Sequence, residues 1–294
     1  MAARELERLM EGDGGFAYTE GSEVRADATA WGLLALRLLQ SDAASIERTA
    51  QKLESWQDSS GSLVLPLDRY PAVWPSSLAL LAWSGMPGMV PASEKAAQFL
   101  LHDNAVVRSN RPPKGSEIND PDFSGWPWNN GTYSWVIPTS VALLALKSSG
   151  HEKEERCARA IEMLLERQLP HGGWNYGNTI IFNTELLPLP DTTGLALCAL
   201  AGHVGLDKVQ RSLDYLQSVL AGISSPLAMA WGILALKAWG IGVTDCEARA
   251  QRAFEKARSY GALNCESLGM LAACVQVAQN LPLTLRAAGE AGLK

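Results

Sequence analysis

The sequence has little positive charge and lacks a long apolar run, and these two absences exclude several classes of protein. Its 294 residues include 25 Lys and Arg against 31 Asp and Glu, which gives a formal net charge of −6. An acidic chain without a basic stripe is a poor candidate for binding nucleic acid. Apolar runs such as Leu78 to Trp83 are too short to span a bilayer. The charged N-terminus lacks the apolar centre of a signal peptide, so we predict a cytoplasmic location.

The common motifs for metal and cofactor binding are also missing. The five cysteines are odd in number and contain no C-x-x-C spacing, so they are expected to be reduced thiols packed in helices. The four histidines show neither H-x-x-H nor H-E-x-x-H spacing. The sequence contains no G-x-S-x-G, P-loop or dinucleotide fingerprint. We therefore predict no metal and no cofactor.

An internal repeat is the main positive signal. Apolar, Ala-rich segments recur, and Ser or Thr stands just before four of them, which is typical of helix starts because the side-chain oxygen accepts a free backbone N–H. The segments are residues 27–36, 75–83, 138–146, 191–200, 227–236 and 266–274. We take Thr29, Ser77, Ser140, Thr193, Met229 and Glu266 as equivalent positions in them.

The segments between these copies carry a single apolar stripe at helical spacing, as in 46–56, 152–168 and 206–220. Helices apolar on all sides therefore alternate with amphipathic helices about six times. This alternation predicts an all-α protein with an inner and an outer ring, an (α/α)6 barrel, formed by residues 1–294 as one domain. An open solenoid of helical pairs is the alternative. No strand pattern competes.

One loop motif carries a family resemblance. Residues 168–174 read Q-L-P-H-G-G-W, residues 57–63 repeat this form with Leu in place of Trp, and residues 125–128 read G-W-P-W. This Q-x3-G-x-W form resembles the QW motif of squalene–hopene and oxidosqualene cyclases, in the superfamily of α/α toroids that also includes protein prenyltransferases. From the residues themselves we predict a structural role. Trp174 would fold back over the outer helix, and the Gln168 amide would bond free backbone groups.

The resemblance also implies a candidate acid. Class II terpene cyclases protonate their substrate with the middle Asp of a D-x-D-D motif, and residues 189–193, L-P-D-T-T, occupy the matching place. Asp191 aligns with the acid, while Leu189 and Thr192 replace two of the other motif residues. Asp27 begins an earlier segment in the same form, D-A-T. For both aspartates, helix capping is the alternative to a functional role.

Aromatic residues collect at the starts of the predicted inner helices and in the loops before them. We predict that they surround one mouth of a central cavity, where they would bind an apolar chain, stabilise a carbocation or stack on a sugar. Packing is the alternative for each. Together with Asp27, the predicted substrate-binding residues are Trp31, Trp74, Trp126, Trp128, Tyr133, Trp135, Tyr176 and Trp231.

A long insertion, residues 102–133, separates two of the repeats. Long loops without structure of their own are often functional. Its basic residues would meet a diphosphate, and a solvated loop is the alternative. The charged residues in it are Arg108, Arg111, Lys114, Glu117, Asp120 and Asp122.

Three functions fit these features. The first is a terpenoid-cyclase-like protein that binds an isoprenoid or triterpenoid chain and cyclises it by protonation from Asp191. The second is a non-catalytic toroid that binds lipid or protein. The third is a carbohydrate-active (α/α) barrel with Asp27 and Asp191 as its carboxylate pair. The predicted partners are an apolar small molecule such as an isoprenoid, a second α-barrel chain or a second copy, and a membrane surface in peripheral contact.

Overall fold

The computed structural model describes residues 2–64, 73–102, 125–261 and 263–278. These residues form twelve α-helices, a 3₁₀ turn at Pro87–Met89 and one small β-hairpin. The inner helices are α2 (Ala26–Leu38), α4 (Val73–Trp83), α6 (Val136–Ser148), α8 (Pro190–Leu200), α10 (Pro226–Ala238) and α12 (Cys265–Ala278). The outer helices are α1 (Ala2–Glu7), α3 (Ala43–Glu54), α5 (Val90–His102), α7 (Glu155–Glu166), α9 (Leu206–Leu220) and α11 (Cys246–Tyr260). The strands are β1 (Ile180–Ile181) and β2 (Thr184–Glu185).

The six inner helices form a closed ring. Each packs against the inner helices before and after it in the chain, and α12 packs against α2. This last contact confirms the predicted (α/α)6 barrel and excludes the open solenoid. The sequence did not predict the hairpin, in which β1 and β2 pair antiparallel between α7 and α8.

Burial separates the two kinds of helix. In α2 every residue is buried except Arg37, because the helix touches two inner neighbours, the outer helices and the side chains that fill the ring. The outer helix α3 buries only Ser45, Thr49, Ala50 and Leu53, which lie on one face. The Ala-rich inner segments and the striped outer segments are therefore explained by position in the ring.

A hydroxyl in the first turn of four inner helices ties down the loop that precedes the helix. Ser76 and Thr139 fill this position, so the equivalence assigned to Ser77 and Ser140 is wrong by one residue. The hydroxyls also do not cap their own helices, as the sequence suggested, but accept a loop N–H. The four bonds, each 2.9 Å long, join Phe16 N to Thr29 Oγ1, Leu63 N to Ser76 Oγ, Trp126 N to Thr139 Oγ1 and Trp174 N to Thr193 Oγ1.

Side chains also tie the inner helices together at their C-terminal ends. Arg37 donates to the Ser84 carbonyl at 2.8 Å, and the Ser84 hydroxyl donates to the Ser148 carbonyl at 2.7 Å. Lys147 donates to the Ala201 carbonyl. Cations are favourable here because helix C-termini carry partial negative charge. A cleft of about 560 Å³ lies at this end, between the turns that follow α4 and α6.

Candidate functional site

The inner helices all begin at the opposite end of the ring, which we call the mouth. Three carboxylates lie there at the same register, since Asp27, Asp191 and Glu266 are each the second residue of their helix, α2, α8 and α12 respectively. In a ring of six, α2 and α8 face each other and α12 is the neighbour of α2. Sequence alignment pairs Glu266 with Thr29 and Thr193, two residues away from this position. The structure therefore adds a third carboxylate to the two that were predicted.

Asp27 forms a bidentate ion pair with Arg25. Its side chain is buried, and the Arg25 guanidinium donates to both of its oxygens, from Nε and from Nη2, each at 3.0 Å. Oδ1 also accepts the N–H of Ala28 at 3.0 Å, one of the free donors of the helix start. The phenol of Tyr18 lies nearby, and burial first, then the charges of Asp27 and Glu266, raise the pKa of Tyr18.

Asp191 is more open and has no cationic partner among the described residues. Its Oδ1 accepts the N–H of Thr192 at 2.8 Å, as Asp27 does with Ala28. Neither aspartate is the N-cap of its helix, as the capping alternative required, because each is the second helical residue and accepts only the N–H of the residue that follows it. Beside Asp191, the Tyr215 hydroxyl donates to the Pro188 carbonyl at 2.9 Å, and burial followed by the charge of Asp191 raises the pKa of Tyr215.

Glu266 differs from the two aspartates because it makes no hydrogen bond or ion pair with any described residue. Burial raises the pKa of Glu266, and the charges of Asp27 and Asp191 raise it further, to about 7. Desolvation and like charges both disfavour the ionised form. Near neutral pH, Glu266 is therefore protonated in a large fraction of the molecules, whereas an ordinary glutamate is ionised. The three carboxyl groups do not gather closely, since no cluster of three His, Cys, Asp or Glu able to hold a metal ion is found in the described ranges.

Five of the predicted aromatic residues form a partly exposed group on the α4–α6 side of the mouth. The Trp128 carbonyl accepts the N–H of Val73 at the start of α4, and the Tyr176 carbonyl accepts the N–H of Val136 at the start of α6, which places both loops at the rim. The rings of Trp74 and Trp128 are 4.9 Å apart between centroids and inclined at 54°. We call this group the aromatic shelf, and its members are Trp74, Trp128, Tyr133, Trp135 and Tyr176.

The other three predicted aromatic residues are packed. Trp126 is fully buried, donates from Nε1 to the Leu100 carbonyl at 2.9 Å, and lies under the Arg156 guanidinium. Trp31 and Trp231 are both the sixth residue of their helices, one turn further into the ring, and both are buried. We therefore assign these three residues to packing.

The Q-x3-G-x-W residues also serve packing. The Gln168 amide donates to the Ser212 hydroxyl of α9 at 2.7 Å, and the Gln57 amide donates to the Ala92 carbonyl of α5 at 2.9 Å. Gly172 has a φ of +96°, and a Cβ there would lie 2.5 Å from the Arg211 backbone. Only glycine allows this loop to approach α9 so closely.

The charged residues predicted to meet a diphosphate, at positions 108–122, lie outside the described residues. Among the helices that are described, none is both long enough and apolar enough to cross a bilayer.

The pKa of Glu266 leads to a prediction about stability. Because it lies near 7 in the folded protein and near 4.5 ordinarily, the folded state binds the proton more tightly. Stability from this group is therefore complete below about pH 4.5 and is lost as the pH rises through 7. We expect Glu266→Gln, which has no charge to bury, to match the unaltered protein at pH 4.5. At pH 8 it should be more stable by about 3 kcal/mol. Urea unfolding at both pH values measures this, and an equal effect at the two would contradict it.

No protein-family model and no curated protein matches this sequence. Solved structures do match over nearly the whole chain. A type II terpene cyclase variant from Scytonema, in complex with geranylgeranyl dihydroxybenzoate, is 12% identical with a TM-score of 0.61, over 95% of this chain and 96% of that one. A family 8 glycosyl hydrolase, an endoglucanase from Klebsiella pneumoniae, is 13% identical with a TM-score of 0.57, over 95% and 98%. An α-amylase from Clostridium perfringens is 11% identical with a TM-score of 0.59, over 94% and 95%. At these identities the comparisons show a shared α/α toroid fold.

Proposed function

We propose that the mouth is an acid–base site that hydrolyses a glycosidic bond, with Glu266 as the proton donor. The observation that carries this proposal is the position of Glu266, an unpaired carboxyl at the same helical register as two carboxylates on other inner helices. Glycosidases usually cleave an acetal with a pair of carboxyl groups, of which one is protonated and the other ionised. Among the structural relatives, both glycosyl hydrolases and terpene cyclases use this fold.

The pKa of Glu266 decides which bond it can protonate. A carboxylic acid with a pKa of about 7 is well matched to donating a proton near neutral pH to an oxygen that is leaving. An alkene is a far weaker base and needs a much stronger acid.

The general base is Asp191. Both oxygens of Asp27 are bound by Arg25, whereas only Oδ1 of Asp191 accepts a hydrogen bond from a described residue. Asp191 takes a proton from water, the water oxygen attacks the anomeric carbon, and the bond from that carbon to the leaving oxygen breaks as Glu266 protonates it. The charge of Asp27 helps to keep Glu266 protonated.

The aromatic shelf supplies the binding surface. In the ring, α4 and α6 lie across from α10 and α12, so the shelf faces Glu266 over the mouth. Partly exposed rings such as that of Trp128 offer flat apolar faces beside polar groups, which suits the apolar faces of sugar rings.

A second candidate is the binding of an isoprenoid chain, with or without its cyclisation. The same shelf favours it, because aromatic faces also hold apolar chains and stabilise carbocations. This candidate needs a deep apolar cavity. Below the mouth, however, the side chains of Trp31 and Trp231 on the inner helices are buried. The carboxylate-bearing mouth suits a sugar better.

Replacing Asp191 tests the proposal. The side-chain oxygen of Asn can accept the same Thr192 N–H, so we expect Asp191→Asn to fold with an unchanged melting temperature. Hydrolysis should fall by about 10²–10⁴-fold because Asn cannot take the proton from water. The assay detects new reducing ends on a panel of soluble glucans, mannans and xylans. Full hydrolysis by the variant would exclude Asp191 as base. An unaltered protein that cleaves none of these glycans but binds geranylgeraniol would favour the second candidate.

A further inference from the structure

An apolar hairpin stands at the rim of the mouth and shares only Tyr176 with the aromatic shelf. We call residues 176–188 the rim hairpin. Three of its apolar side chains are open to solvent: Phe182 is 86% exposed, Leu187 79% and Ile180 46%. Contiguous exposed apolar side chains of this size on a soluble surface usually mark an interaction site.

The base of the rim hairpin is firmly anchored. The Asn175 amide donates to the Leu187 carbonyl at 2.6 Å, and the Leu189 N–H donates to the Trp174 carbonyl at 2.8 Å. The buried Arg167 donates to the Gly177 carbonyl. The exposed side chains are therefore presented from a fixed support.

The backbone conformation at the tip of the rim hairpin is unfavourable for one of the two residues that adopt it. Phe182 has a φ of +49° and Asn183 a φ of +60°. Asn adopts the left-handed region readily, but a bulky residue such as Phe seldom does. A Phe at a strained turn position, with its ring exposed to water, does not stabilise the fold. We therefore expect the ring to contact a partner outside the chain.

From these features we propose that the rim hairpin inserts its tip into a neutral lipid surface. Its only charged side chain is Glu185, it has no Lys or Arg, and the whole chain carries −6. The rim hairpin therefore has no electrostatic attraction to an anionic membrane. Its apolar side chains are what would bind it to a lipid surface.

The shape of the hairpin also favours lipid. Its backbone is paired internally, Ile180 with Glu185 and Ile181 with Thr184, so the tip can enter the interfacial region with fewer backbone polar groups unpaired. Its strands are only two residues long, too short for a second copy to add a stable strand at the edge. The hairpin begins at Tyr176 of the shelf and ends just before α8, so insertion would hold the mouth close to the bilayer.

Flotation with phosphatidylcholine vesicles tests this proposal on the full chain, independently of any catalytic activity. We expect the unaltered protein to float at millimolar lipid, equally at low and high salt. Phe182→Ser should lower the partition coefficient by about tenfold, since one large apolar side chain contributes about that factor. The matched control is Leu206→Ser, because Leu206 is 50% exposed but begins α9 at the end of the ring opposite the mouth. Its binding should be unchanged.

Three outcomes would overturn the proposal. The first is the absence of flotation at any lipid concentration. The second is flotation that needs phosphatidylglycerol and disappears with salt, because that would show electrostatic attraction elsewhere on the chain. The third is a change in sedimentation coefficient on Phe182→Ser without a change in flotation, which would assign the hairpin to contact with a second copy. Melting temperatures of both variants show that they are folded.

Discussion

Replacing Trp174 with Ala is expected to lower the free energy of unfolding by about 3–5 kcal/mol, the usual cost of emptying the space of a buried Trp. The indole is fully buried, and its Nε1 donates to the Leu164 carbonyl of α7 at 2.6 Å. Its backbone N–H donates to the Thr193 hydroxyl of α8 at 2.9 Å. One residue therefore joins an outer helix, a loop and an inner helix. Urea or thermal unfolding followed by circular dichroism measures the loss.

The control for this variant is Tyr260→Ala, which removes an aromatic ring that is 83% exposed. Its stability should stay within about 0.5 kcal/mol of the unaltered protein. If Trp174→Ala were equally mild, the packing role of the Q-x3-G-x-W loop would be wrong. The ring would then be held together by the inner helices alone.

The architecture could be predicted from the sequence because burial acts on whole helices. An inner helix touches neighbours on every side, so each of its positions is selected to be apolar, and α2 shows this over nearly its full length. An outer helix such as α3 shows a single stripe. This contrast repeats around the ring and does not depend on the exact position of any residue.

The register within each repeat was harder to predict, since neighbouring residues carry the same chemistry. Ser76 and Ser77 are both hydroxyls, and so are Thr139 and Ser140. Only the bond to the loop N–H distinguishes Ser76 and Thr139, and this bond joins residues thirteen apart in the chain. A local sequence pattern therefore does not indicate which hydroxyl makes this bond.

Glu266 was missed for the same reason, although one signal could have found it. The segments D-T-T-G at 191–194 and E-S-L-G at 266–269 align without a gap if their glycines are matched. Gly194 lies where a Cβ would be 2.6 Å from the Trp231 backbone, and Gly269 where a Cβ would be 3.4 Å from the Trp31 carbonyl. Close helix packing requires glycine at position 194, and the glycine recurring at 269 marks the register better than the hydroxyls do.

The aromatic residues show the limit of composition as a guide. Trp126 and Trp128 are two residues apart in one loop, yet the first is fully buried and the second is exposed on the shelf. The difference comes from the neighbouring chain, because α5 offers the Leu100 carbonyl to the Trp126 indole. Spacing alone gives no means of separating a packing Trp from one that meets a ligand.

Replacing Glu266 with Gln is expected to lower kcat for an unactivated glycan by about 10²–10⁴-fold, because Gln fills the same space but cannot donate a proton. KM should change little, since the proton is needed only as the bond breaks. Rates of the unaltered protein should fall above pH 7, where Glu266 loses its proton. The matched control is Glu247→Gln, because Glu247 is also the second residue of its helix but lies exposed on the outer helix α11.

The leaving group separates an acid from any other role of Glu266. A nitrophenolate leaves without protonation, so an aryl glycoside should lose much less rate in Glu266→Gln than a glycan does. Asp191→Asn should slow both substrates alike, because the attacking water must be deprotonated in each case. Equal losses for the two substrates in Glu266→Gln would assign Glu266 to binding or folding, and an unchanged rate on both would remove it from the site.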